Sequence, residues 1–270
     1  MSFLSWLANR LILCPSTHTI DPAGKQRIEI PTPHGHVEAY VDSMNNDGIG
    51  EQRNQGTGDL VILKFPGTAG RAERAGLHPA ELFEQFASEV WTINHHGYGQ
   101  SSGPANILSF PEACDSVMEF IRARKGKQRS YLVTGNSLGS ISALYVAARY
   151  PVTGMLLRNP VPIHQLISTR PKYAAWNFGM SSVVANQVPA SLDAIENARQ
   201  ASAPCLFVQS ERDRVVPPSY QAQIIDNYHA VSSTFVSRGT DHHEPVPENQ
   251  AEAYLDSLRW LEKQMLAKND

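Results

Sequence analysis

A serine between two glycines, in "YLVTGNSLGSISALYVAARYP" (Tyr131 to Pro151), is the residue of this chain whose setting most clearly suggests chemistry. The G-x-S-x-G of "GNSLG" follows an apolar run. It precedes a segment of helical spacing, Ile141, Ala143, Leu144, Ala147 and Ala148, which Pro151 helps to end. This context predicts a strained strand-to-helix turn that presents the Ser137 hydroxyl, with glycines where a Cβ would clash. A serine hydroxyl is barely nucleophilic until a base takes its proton, so a histidine and a carboxylate to orient it are required.

Both occur downstream, and in a workable order. "FVQSERDRVVPP" puts Asp213 in the loop after an apolar strand, with Glu211 as its competitor; Asp213 is favoured by the form of "DRVVP". "SRGTDHHEPV" puts His242 and His243 after the next strand; His242 is favoured because Gly-x-Asp-His is the commoner local form. The oxyanion of acyl transfer needs fixed N–H donors. The amide of Leu138, directly after Ser137, is one. The turn in "KFPGTAGR" supplies the other from Thr68 or Ala69, where Gly67 permits a close backbone approach. "PGTAG" lacks both the G-K-[ST] ending of a phosphate loop and the G-x-G-x-x-G of a dinucleotide fingerprint, so no cofactor is expected. His95 and His96, in "NHHGYGQSSGP", have no acidic or cysteine companion at ligand spacing. A turn beside the site is expected there, not a metal centre.

Such residues need a scaffold that brings strand ends together. From Asp59 onward, short apolar runs alternate with segments of helical spacing, the mark of βα units in a parallel sheet. Strands are expected at "DLVILKF", "EVWTIN", "YLVTG", "TGMLLRN", "CLFVQS" and "STFVS". Helices are expected around Glu73 to Phe86, Pro111 to Arg124, "SISALYVAARY" and Gln221, with a closing helix to Met265. Upstream, "RIEIPTPHGHVEAYVD" predicts an antiparallel edge hairpin, and the Asn- and Gly-rich Ser43 to Gly58 predicts an exposed loop. The segment 160–204 interrupts the alternation and carries Tyr173, Trp176 and Phe178. It is expected to form a small cap whose aromatics contact substrate or pack on the sheet. One domain over 1–270 is expected.

Composition limits the partners. With 270 residues, 41% apolar, 18% charged and a formal net charge of -3, the chain suits a soluble α/β domain and offers no basic block for nucleic acid. Three widely spaced cysteines, Cys14, Cys114 and Cys205, predict neither a disulfide framework nor a zinc site and fit the cytoplasm. The opening "MSFLSWLANRLILCP" lacks a basic n-region and is too short to span a bilayer. A packing helix is expected, or alternatively weak membrane-surface contact through Phe3, Leu4, Trp6, Leu7 and Leu11.

"FPGTAG", "NHHGYGQSSGP", "GNSLG", "ERDRVVP" and "GTDHH", in this order, make the chain from about Glu29 onward resemble the α/β-hydrolase superfamily. Within it the motifs are similar to those of the serine aminopeptidase-like branch, which includes monoacylglycerol lipases and depalmitoylating thioesterases. The chain departs from that branch with Pro66-Gly67 in place of His-Gly and His95-His96 in place of an aromatic-Arg pair. The resemblance implies an α/β-hydrolase fold: a mostly parallel central sheet with helices on both faces, an antiparallel N-terminal hairpin and a small cap insertion. It also implies Ser137 as nucleophile, Asp213 as acid, His242 as base, and Thr68 with Leu138 as oxyanion donors. The expected activity is cleavage of a small-molecule carboxylic ester or thioester through an acyl-enzyme. The alternatives are a peptidase or amidase on the same residues, and a non-catalytic binding protein with this fold.

Overall fold

The structure, a computed structural model, describes residues 9–10, 12–43, 58–169, 185 and 188–269. The alternating residues of the first two strands form an antiparallel edge hairpin, β1 (Gln26–Thr32) and β2 (Gly35–Ser43). β2 pairs antiparallel with β4 (Phe86–Asn94). The remaining pairings are parallel and join β3 (Gly58–Phe65), β5 (Ser130–Asn136), β6 (Gly154–Arg158), β7 (Cys205–Ser210) and β8 (Ser232–Ser237). The spatial order is β1-β2-β4-β3-β5-β6-β7-β8.

The inner strands are apolar on both faces because helices cover both. On one face Val61, Leu63, Val133 and Leu157 pack with α1 (Phe110–Lys125) and α2 (Gly139–Arg149) through Val117, Ile121, Ile141 and Leu144. On the other, Ile62, Leu132, Leu156 and Leu206 meet Leu258, Leu261 and Met265 of α6 (Ala251–Asn269). Three shorter helices are also described: α3 (Ile163–Thr169), α4 (Ala194–Gln200) and α5 (Pro218–Ile225). From β3 the chain crosses to β4 on one side, and β5 returns on the other. The loops leaving β3 and β5 therefore diverge and leave a crevice at the carboxyl ends of these strands.

The β3–β4 crossover differs from expectation. In place of a helix from Glu73 to Phe86 there are two short 3₁₀ turns, Ala72–Arg74 and Ala80–Leu82, and Phe86 already belongs to β4. Gly76 and Pro79 interrupt helical spacing, and proline has no N–H to donate. The carbonyls of Gly76 and His78 accept hydrogen bonds from Lys64 Nζ, each at 2.7 Å, and so do not serve a helix.

Within 160–204, α3, α4 and a 3₁₀ turn at Ala190–Leu192 are described. Tyr173, Trp176 and Phe178 lie outside the described residues, as do Phe3, Leu4, Trp6, Leu7 and Leu11 and residues 44–57. No helix among the described residues is long and apolar enough to cross a membrane.

Candidate active site

Ser137 occupies the turn between β5 and α2 at φ 50°, a left-handed conformation that strains an L-residue by roughly 1–2 kcal/mol. Hydrogen bonds hold it there: the Ser137 amide donates to the Arg158 carbonyl (2.9 Å), and its own carbonyl accepts from Ser140 N–H (2.9 Å). Gly139 is required by close approach. A Cβ at that position would stand 2.0 Å from the Phe65 carbonyl oxygen, so only glycine lets the start of α2 meet the end of β3. Gly67, in the turn after β3, brings that loop against the serine; a Cβ there would lie 3.0 Å from the Asn136 oxygen and 3.3 Å from Ser137 Cβ.

The same turn separates the two oxyanion candidates. The Ala69 amide is directed to the Leu13 carbonyl (3.4 Å), and the Thr68 hydroxyl donates to Ile12 O (3.3 Å). The backbone amides of Thr68 and Leu138 find no acceptor among the described residues. One of these amides follows Ser137 directly in the chain, and the other follows Gly67 in the turn brought against the serine.

Asp213 and His242 are in contact. His242 Nδ1 lies 2.6 Å from Asp213 Oδ2, and both side chains are buried. Asp213 Oδ1 accepts the amides of Val215 (2.8 Å) and Val216 (2.7 Å), and Gln221 Nε2 donates to Oδ2 (3.0 Å). Such contacts fix the carboxylate and, through it, the imidazole ring. Glu211 turns elsewhere and accepts the Gly239 amide (2.7 Å). His243 is exposed, with its ring edge-on to that of His242 at 4.8 Å between centroids. Asp241 supports the loop of His242 by accepting the amides of Arg214 (2.9 Å) and His242 (2.8 Å). These bonds and the Arg214 guanidinium hold its carboxyl well below the usual range.

Three residues that the sequence motifs do not single out join these parts. Asn159, at φ 47°, donates to the His242 carbonyl (3.1 Å) and to Ser210 Oγ (3.1 Å), and accepts the Ser210 amide (2.8 Å). Its neighbour Arg158 accepts the Ser137 amide and donates to the Glu244 carbonyl. Consecutive residues at the end of β6 thus tie the serine turn to the histidine loop. Gln221 also donates to Val216 O (2.7 Å) and is fully buried. The signal in sequence for Asn159 is a polar residue ending an apolar strand; for Gln221 it is a polar residue on the inner side of α5.

His95 and His96 are buried below this crevice. His95 stacks on Phe110 (3.9 Å between centroids) and Phe65 (5.5 Å), and its Nε2 meets Ser142 Oγ at 3.1 Å. Burial, with a smaller effect of His96, pushes its imidazole down to about 3. His96 contacts Thr32 Oγ1 (3.1 Å) and the Ser102 carbonyl, so it pins the 94–103 turn to β1. No group of three or more His, Cys, Asp or Glu among the described residues could hold a metal ion.

A family model described as the alpha/beta hydrolase fold matches residues 61–188, which include Thr68 and Ser137. The chain has the α/β-hydrolase fold. An esterase of Pyrococcus furiosus superposes with a TM-score of 0.66 at 13% identity, covering 93% of this chain and 97% of that one. An acylaminoacyl peptidase bound to a chloromethyl ketone superposes with a TM-score of 0.65 at 11% identity, covering 88% of this chain and 41% of that one. In sequence, an uncharacterized membrane protein of Saccharomyces cerevisiae is 22% identical over 178 residues. That match takes in 64% of this chain and 61% of the yeast protein, so the chain spans less than two thirds of its relative's length. At 11–13% identity, the likeness to these solved structures is one of fold.

Proposed function

We propose that the chain is a serine hydrolase that cleaves a small carboxylic ester or thioester through an acyl-enzyme. Ser137 Oγ attacks the carbonyl carbon, His242 accepts its proton, and Asp213 holds the imidazole with Nδ1 protonated and stabilises the cation that forms. The amides of Thr68 and Leu138 donate to the tetrahedral oxyanion. His242 returns the proton to the leaving group, the ester bond breaks, and water attacks the acyl-Ser137 with His242 as base. The observation that carries this is the buried Asp213–His242 contact, joined through Asn159 and Arg158 to a strained serine turn, with the Leu138 and Thr68 amides without an acceptor among the described residues.

Residues 160–204 serve as the cap, and Tyr173, Trp176 and Phe178 contact the acyl group, as their aromatic content suggests. The motif resemblance favours the branch of monoacylglycerol lipases and depalmitoylating thioesterases. The test is labelling with a fluorophosphonate. Wild type is expected to form an adduct that Ser137→Ala abolishes, and an unlabelled, folded wild type would reject the proposal. Turnover of 4-nitrophenyl esters above that of aminoacyl anilides is expected, whereas the reverse preference would indicate a peptidase.

A further inference from the structure

A cavity of about 600 Å³ lies on the α6 face of the sheet, beneath the crossover that fails to form a helix. Lys64 of β3, Asn136 of β5, Arg158 of β6, Arg74 and His78 of the crossover, and Tyr254 of α6 line it. Its volume falls within the range of small-molecule sites. No aspartate or glutamate is among its lining residues.

Lys64, Arg74 and Arg158 of this cavity are not compensated as other cations of the chain are, including Arg71 of its own lining. Exposed Arg27, half-buried Lys125 and buried Arg71 each pair with a glutamate: Glu38, Glu89 and Glu73. Lys64, half-buried, donates to the carbonyls of Gly76 and His78, and Glu81 and Asp42 act on its charge only from beyond ion-pair distance. Arg158 reaches the Glu244 carbonyl, and its Nε is buried without an acceptor. Neither makes an ion pair among the described residues, nor does Arg74 at the rim. Burial pulls the Lys64 ammonium down to about 8 and lowers the Arg158 guanidinium as well. His78 is pushed down to about 4 by burial and by the charges of Lys64 and Arg158, so it stays neutral and leaves both cations to a ligand. Charges of one sign at a partly dry wall focus their field into the space between them, which attracts the opposite charge.

We propose that this cavity binds the carboxylate or phosphate group of a small organic anion. Lys64 and Arg158 grip its oxygens from neighbouring regions of the sheet, and Arg74 closes the rim. The site adjoins the serine turn, since Asn136 and Gly67 line it and the Arg158 carbonyl accepts the Ser137 amide. The anion is either the remote charged end of the acyl substrate or a separate small molecule.

Binding of inorganic phosphate and of succinate is measured by calorimetry on Ser137→Ala protein, so that the result is independent of hydrolysis. Saturable binding is expected, weakened roughly tenfold or more when Arg158→Gln or Lys64→Gln is added. Lys64→Gln retains a donor for the two carbonyls, and Arg158→Lys, which retains the charge, is expected to bind more tightly than Arg158→Gln. Absence of saturable binding to the folded parent, or equal affinity in both folded charge-removing variants, overturns the proposal.

The second arm rests on the hydrolase reading and identifies the source. Mono-4-nitrophenyl succinate and the length-matched, neutral 4-nitrophenyl butyrate are compared with wild type. A higher kcat/KM for the charged ester, lost in Lys64→Gln, assigns the anion to the substrate. Equal turnover with intact phosphate binding assigns the site to a separate ligand.

Discussion

Asp213 carries the tightest local constraint in the candidate site, because two amides, Gln221 and His242 all converge on one buried carboxylate. Asp213→Asn is expected to lower kcat by roughly 10⁴, since the amide no longer selects the productive imidazole tautomer. His242→Ala should lose several orders of magnitude, whereas His243→Ala, an exposed ring without a carboxylate partner among the described residues, should change kcat little. Ester hydrolysis by the two alanine variants separates them, and the opposite ranking would move the base to His243. Buried histidines also set a pH dependence of stability. His95 is held near 3 by burial, while the unfolded chain protonates the same ring at about 6.5. Its contribution is complete above about pH 6.5 and is lost as pH falls toward the folded value, by about 2 kcal/mol at pH 5. His78, held near 4, acts with the same sign. Urea midpoints at pH 5 and 7.5 should show this loss in wild type and a smaller one in His95→Gln; an unchanged pH slope in that variant would remove His95 as the cause.

At the scale of elements, the site depends on how closely α2 approaches β3. Gly139→Ala puts a methyl group into the Phe65 carbonyl at 2.0 Å, backbone against backbone, and is expected to destabilise the fold by at least about 1–3 kcal/mol and to disturb the serine turn. Gly67→Ala meets its neighbours at 3.0 and 3.3 Å, which a small shift of the loop relieves. Thermal midpoints and fluorophosphonate labelling rates should therefore both fall further in Gly139→Ala than in Gly67→Ala. Asn159 acts between elements, bridging the end of β6 to β7 and to the loop of His242. Asn159→Ala leaves these buried groups short of partners, at a cost of roughly 1–3 kcal/mol. Its kcat should fall with little change in KM, because the residue positions His242 without touching substrate.

Across the molecule, a buried polar network joins the edge hairpin to the turn after β3. Glu38 accepts from Arg27, from the Gln100 amide (2.7 Å) and from Asn94 Nδ2 (3.3 Å). Asn94 also donates to Glu73 (2.9 Å), the partner of Arg71. The hairpin, the 94–103 turn and the crossover therefore share one set of carboxylates. Glu38→Gln should destabilise the protein by roughly 2–4 kcal/mol in urea unfolding, below the 3–5 kcal/mol of a fully buried pair because Arg27 is 35% exposed. Order in the sheet places the rest: β3 and β5 are neighbours from which connections leave in opposite directions, so their two turns face one crevice.

Much of this was legible in the residues alone. Strand and helix positions followed from apolar spacing, and the serine turn followed from glycines flanking a serine between a strand and a helix, because steric exclusion acts over a few neighbouring residues. The helix expected from Glu73 to Phe86 was not legible, since Lys64, remote in sequence, takes the carbonyls of Gly76 and His78. His242 and His243, and the amides of Thr68 and Ala69, differ in their contacts for the same reason. Neighbours in sequence share composition and spacing, but only one points at Asp213, and only one has its N–H directed to Leu13. Asn159 and Gln221 acquire roles through partners on other strands. Sequence by itself determined the local backbone and the chain order of Ser137, Asp213 and His242; tertiary structure decided which side chains and amides meet, because that depends on directions set where separate strands end.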